Sequence, residues 1–122
     1  MIHGRFGERI ELFFEIGLVA ADGESFPVEV LLDTGFTTGW LALDTQDCLG
    51  LGWVMTEREQ VMQTVRGEEY FDIYEGRVVL NEQDYIIAVL AGDGVSEPIL
   101  GLQWLRKLPL TVDFEMGILT LG

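Results

Sequence analysis

The chain has 122 residues, 48% hydrophobic and 11% aromatic, with 7 basic residues against 21 acidic and a formal charge of −14. That much apolar material excludes a disordered chain and supports a real core, burying roughly two thirds of the unfolded surface; the acidic balance excludes nucleic acid as a partner, because phosphate binding needs a basic surface. No stretch approaches the roughly 18 uncharged apolar residues of a membrane span, and residues 1–9 lack a basic-then-apolar signal pattern, so a single domain over 1–122, cytoplasmic and without a membrane partner, is expected. One cysteine, Cys48, agrees with a reducing compartment.

Short strands dominate the chain. Ile10, Leu12 and Phe14 alternate with Glu11 and Phe13, and a turn at Asp22-Gly23 leads into a second arm, Phe26 to Leu32, where Val28, Val30 and Leu32 share a face and Glu29 points away. That arm ends at Asp33-Thr34-Gly35. Trp40 to Leu43 reads as another strand, and Asp44 is placed to cap a helical turn through Cys48 before Gly50 and Gly52 break it. From Val61 to Val79 two extended arms flank Arg66-Gly67-Glu68, where Gly67 can take a positive φ. This segment reads as a mobile flap or, equally, as an ordinary β-hairpin. Tyr85 to Ala91 suits a buried strand closed by Gly92-Asp93-Gly94. After Ile99-Leu100-Gly101, Leu102, Leu105 and Leu108 stand at helical spacing with Arg106-Lys107 in the last turn, which predicts a helix over 102–108. A hairpin of Leu110 to Phe114 and Ile118 to Leu121, turning at Met116-Gly117, completes the pattern. These elements predict an all-β fold with one short C-terminal helix.

The acidic charge has two readings, solubility or an acidic cleft rim that favours cationic or neutral peptide segments, with Glu57, Glu59, Glu68 and Glu69 as candidates. His3 is the only histidine and sits in a terminus expected to fray, so neither a Ser-His-Asp triad nor a His-based zinc site is well supplied, and Cys48 reads as buried and inert. No metal or other cofactor is expected. Trp40, Trp53 and Trp104 read as core or interface residues.

Asp33-Thr34-Gly35 occurs once. A strand delivering an aspartate into a Thr-Gly turn puts a carboxylate at the floor of a cleft, but peptide hydrolysis needs both a general base for water and a general acid for the carbonyl oxygen. The second carboxylate must then come from a second copy of the chain. Leu31-Leu32-Asp33-Thr34-Gly35 at the end of an apolar strand, followed downstream by Ile99-Leu100-Gly101 and a short amphipathic helix, resembles the retropepsin-like aspartic proteases, and Asp33 to Gly39 looks most like the small bacterial members.

That resemblance implies a closed acid-protease β-barrel, active as a two-fold homodimer that hydrolyses extended peptide or protein segments without a cofactor. It implies that Asp33 is the catalytic acid/base, that Thr34 hydrogen-bonds across the two-fold axis, and that Gly35 lets the turn approach substrate. Ile99, Leu100 and Gly101 correspond to the segment packed beneath the catalytic loop, Arg66, Gly67 and Glu68 to a flap tip, and Trp104 to a helix near the dimer contact. Phe36 stands where viral members usually have Ala, Thr37 and Thr38 replace acidic residues that contact substrate, and Leu102 and Gln103 replace an Arg and an Asn or Asp that tie the viral dimer together. A non-catalytic dimeric barrel that binds peptides or serves as a scaffold is the alternative, with Asp33 only capping its turn.

Overall fold

The computed structural model describes residues 1–64 and 67–122. In chain order it contains β1 (Ile2–His3), β2 (Arg5–Phe6), β3 (Leu12–Val19), β4 (Ser25–Leu32), β5 (Leu41–Asp44), α1 (Thr45–Gly50), β6 (Val54–Thr64), β7 (Gly67–Leu80), β8 (Gln83–Gly92), β9 (Ile99–Leu100), a 3₁₀ turn (Leu102–Arg106), β10 (Leu110–Asp113) and β11 (Ile118–Leu121). Period-two alternation decides which side chains reach the core. Phe14, Ile16 and Leu18 of β3, Val30 and Leu32 of β4, Leu41 and Leu43 of β5, Tyr74 and Val78 of β7 and Val89 of β8 all pack into it. Each such side chain contributes about 1.5–3 kcal/mol relative to leaving it in water.

The strands form a mixed, mostly antiparallel sheet of eight in the order β2-β3-β4-β9-β5-β8-β7-β6, and a separate sheet of three, β1-β11-β10. The parallel pairs are β4 with β9 and β5 with β8. The expected closed barrel is therefore corrected. The larger sheet keeps β2 and β6 as edges, and β3 meets β7 through only two residue pairs, Gly17 with Val79 and Leu18 with Val78. Two features keep those edges apart. β2 is two residues long, and β6 slips register against β7 between Met55 and Glu57 and again between Glu57 and Gln60, with Glu59 at φ 51°. Such bulges bend and twist an edge strand out of further pairing.

The single C-terminal helix is also corrected: the α-helix is α1, and residues 102–106 form only the 3₁₀ turn. Asp44 caps α1, its side chain accepting the Gln46 N–H at 2.8 Å. In the 3₁₀ turn, Trp104 is fully buried and its indole N–H donates to the Trp40 carbonyl at 2.8 Å, which pins the segment after one turn. Leu102 and Leu105 are only half-buried. Pro109 then disfavours helical geometry in the residue before it. Full burial within its own chain also removes Trp104 from any interface.

Three local expectations shift as well. Ile10 lies outside β3, exposed and at φ 65°, because residues 7–10 close a turn in which the Ile10 N–H donates to the Gly7 carbonyl at 3.0 Å. His3 does not fray: it pairs with Thr120 on β11, and the Met1 amine bonds the Asn81 side chain. In β8 the apolar run alternates, with Ile87 buried between exposed Ile86 and Ala88, before it is buried continuously from Val89. Ile86 is 71% exposed, whereas Val89 to Ala91 lie between β5 and β7 as a central strand.

Cys48 sits on α1 with no exposed surface, in contact with the core. Burial first, and the neighbouring Asp47 and Asp44 charges second, push its thiol up to about 12. A folded-state value above the unfolded value of 9.0 favours the folded state fully below pH 9, and this contribution is lost as pH rises toward 12. We expect no alkylation of Cys48 by iodoacetamide in the native protein at pH 8, and rapid alkylation in urea. The stability difference between the wild type and Cys48→Ala, measured by urea unfolding, should narrow between pH 9 and 12.

Candidate active site

Asp33 follows directly on β4. β9 lies beside that strand in parallel, with Leu31 opposite Ile99 and Leu32 opposite Leu100. The ladder runs one step past each strand: the Leu31 N–H donates to the Pro98 carbonyl at 3.0 Å and the Asp33 N–H to the Leu100 carbonyl at 3.1 Å. The backbone then turns, with the Phe36 N–H donating to the Asp33 carbonyl at 3.1 Å. Inside this turn the Gly35 N–H donates to Asp33 Oδ1 at 2.8 Å, which orients the carboxylate. Among the described residues no group bonds Oδ2.

Residues 36–40 lie across the segment that follows β9. The Phe36 carbonyl accepts from the Leu102 N–H at 2.9 Å, the Gly39 carbonyl from the Gln103 N–H at 3.3 Å, and the Trp40 carbonyl from the Gly101 N–H at 2.9 Å. The Gln103 side-chain amide donates to the Thr37 carbonyl at 2.7 Å. The two backbones approach so closely that a β-carbon on Gly101 would overlap the Gly39 carbonyl, and one on Gly39 would overlap the Phe36 ring. Gly101 has φ −84°, which suits any residue, so its requirement for glycine is one of space alone.

Above the turn opens a cleft of about 850 Å³. Asp33, Gly35, Phe36, Thr37 and Thr38 form one side of it, with Ile99 beside them. The β6–β7 hairpin contributes Val61, Met62, Glu69, Tyr70 and Phe71, and the turn after β8 contributes Asp93, Gly94, Val95, Ser96 and Glu97. Thr34 is exposed, and Leu100 and Gly101 are buried beneath the turn. Of the candidate flap residues, Arg66 lies outside the described residues. Gly67 pairs with Thr64 at φ 104° and Glu68 pairs with Gln63; the cleft is lined farther down the two arms. Of the four candidate rim carboxylates only Glu69 lines the cleft, and Asp93 and Glu97 join it instead. The Gly92-Asp93-Gly94 turn was the available signal for that wall, read in sequence only as a strand end.

Competing constellations are not assembled. His3 is in the smaller sheet and Cys48 is buried on α1. Among the described residues no group of three or more His, Cys, Asp and Glu is placed to hold a metal ion, and no helix is long and apolar enough to cross a membrane.

No protein-family model and no curated protein sequence matches the chain. Solved structures do. A retropepsin-like aspartic protease from Rickettsia conorii superposes with a TM-score of 0.66 at 18% identity, over 99% of this chain and 88% of that one. The EIAV protease, in complex with the inhibitor HBY-793, gives 0.63 at 19% identity over 83% and 90%. The simian foamy virus (mac) protease gives 0.50 at 18% identity over 79% and 97%. At such identities the likeness is one of fold: the chain has the fold of retropepsin-like aspartic proteases.

The crossing at Gly39 and Gly101 makes Gly101→Ala the most disruptive small substitution in this region. Forced separation of two backbones should lower stability by about 3 kcal/mol, the upper range for overpacking. Urea unfolding followed by circular dichroism checks this; a change below about 0.5 kcal/mol, typical of uncoupled surface sites, would contradict the crossing.

Proposed function

We propose that the chain is an aspartic endopeptidase that works as a homodimer on extended peptide or protein segments, in a reducing, cytoplasmic setting. The carrying observation is Asp33 itself, at the side of a cleft large enough for a peptide, with Oδ1 held by the Gly35 N–H. The retropepsin-like fold supports the reading, and the single Asp-Thr-Gly in the sequence makes the second copy necessary. Exposed Thr34 and Gly35 leave the turn accessible to a partner.

In the dimer two Asp33 carboxylates face one water. The pair works with one proton between them, one member ionised and the other neutral. The ionised member takes a proton from water as its oxygen adds to the scissile carbonyl carbon. The protonated member donates to the carbonyl oxygen. Collapse of the resulting gem-diol returns a proton to the departing amine, and no covalent enzyme intermediate forms. Cleft residues such as Tyr70, Phe71 and Val95 supply apolar contact to substrate side chains, and Glu69, Asp93 and Glu97 disfavour acidic ones.

Asp33→Asn is expected to retain the wild-type circular dichroism spectrum and to lower cleavage of unfolded casein at mildly acid pH by roughly 10³-fold or more. Undiminished cleavage would sink the assignment, and peptide binding without cleavage by the wild type would favour a non-catalytic binding module. Because each protomer carries −14, dimerisation is opposed by charge. In dilute solution the cleavage rate should rise with the square of protein concentration, and added salt within a physiological range should increase it by screening. A strictly linear dependence that ignores salt would count against the shared site.

A further inference from the structure

We propose that Phe36 is a positioning residue, holding the Asp33 turn in its working geometry from within the same chain. This rests on the proposed function, yet its structural grounds are separate. The backbone of Phe36 is bonded in both directions: its N–H donates to the Asp33 carbonyl at 3.1 Å and its carbonyl accepts from the Leu102 N–H at 2.9 Å. Its ring covers the places where Gly39 and Gly101 lack side chains. Phe36 therefore joins the turn that bears the carboxylate to the crossing that anchors the loop.

Consequences for Asp33 follow from chain connectivity. Gly35, whose N–H orients Asp33 Oδ1 at 2.8 Å, is bonded covalently to Phe36. Displacement of Phe36 breaks its own bond to the Asp33 carbonyl and loosens the turn that presents the Gly35 N–H, which frees the carboxylate to rotate. Loss of the ring opens a void over two glycines, the residues with the most backbone freedom to regain. The Gln103 amide on the Thr37 carbonyl, at 2.7 Å, holds only the far side of the loop. The half-site is thus built before a partner arrives, and the second copy has to bring its carboxylate but not to order the turn.

The experiment compares Phe36→Ala and Phe36→Leu with the wild type. Because Phe36 lies outside the buried core cluster, both variants should keep the wild-type circular dichroism spectrum. For Phe36→Ala, kcat on a casein-derived peptide should fall by about 10²-fold, the scale expected for a small misplacement of a reacting group, while KM changes far less. Phe36→Leu, which keeps an apolar cover, should recover most of the rate. No fall in rate, or a fall carried by KM rather than kcat, overturns the proposal. Amide hydrogen exchange supplies an arm independent of catalysis: in Phe36→Ala the Gly35 and Leu102 amides should exchange at least about tenfold faster, with β5 and β8 unchanged. Unchanged protection overturns the positioning role even if the wild type proves not to cleave; loss of protection in a protein that does not cleave would leave it standing and remove the protease reading instead.

Discussion

The close approach of Gly39 and Gly101 is the constraint on which the site depends. β9 is only two residues long and lies between β4, to which it is parallel, and β5, to which it is antiparallel. The chain that leaves β4 must pass over β9 to enter β5, and the chain that leaves β9 must pass beneath it. The two backbones can share that space only if residue 101 lacks a β-carbon, and the Phe36 ring occupies the place of one at residue 39. Once they do, the carbonyls of Phe36, Gly39 and Trp40 find N–H donors in residues 101–103. The Trp104 ring then fills the space under the crossing, edge-on to both Trp40 and Tyr85 at 5.0 Å. The Asp33 turn, β9 and the 3₁₀ turn form one interlocked unit, which explains why a peripheral loop can hold a carboxylate in a fixed direction.

The surroundings follow from how the larger sheet ends. Its β6–β7 hairpin reaches beyond the strands it pairs with, and the bulges near Glu59 bend it, so that its apolar residues hang over Asp33 rather than extend the sheet. An edge without regular register is a poor template for a further strand. The other wall, Asp93 to Glu97, is the connection from β8 to β9. Its charge, with that of Glu69 and Asp33, makes the cleft acidic in a molecule whose formal charge is −14. Elsewhere, charge acts mostly on the surface. Arg5 pairs with Glu29 at 2.6 Å and stacks over Phe13, holding Glu29 below the usual carboxylate range, but the pair is solvent-exposed and such pairs contribute little.

Much of this was legible in local sequence because local rules apply there. Asp22-Gly23 and Met116-Gly117 turn as their glycines require, at φ 91° and 69°, and Asp44 caps the helix it precedes. The strand leading to Asp33 shows its buried face by alternation. Local rules failed where a distant partner decides the outcome. Leucine spacing over 102–108 suggested a helix, but the indole of Trp104, bonded to Trp40, allows only a tight turn. Ile10 alternates with its neighbours as a strand residue would, yet the bond to Gly7 turns it outward. His3 gains order only from β11, more than a hundred residues downstream by number.

By itself, then, the sequence determined that an aspartate ends an apolar strand in a Thr-Gly turn, that the Asp-Thr-Gly triplet occurs once in these 122 residues, and that the molecule is strongly acidic. Composition, spacing and short-range hydrogen bonding suffice for each of these. Tertiary structure alone decided that the large sheet stays open, that Glu69, Asp93 and Glu97 rather than the other rim candidates face the cleft, and that Phe36 lies across two glycines from different parts of the chain. Those outcomes depend on which strands become neighbours and on the space left between crossing backbones. Neither is encoded in any single stretch of residues.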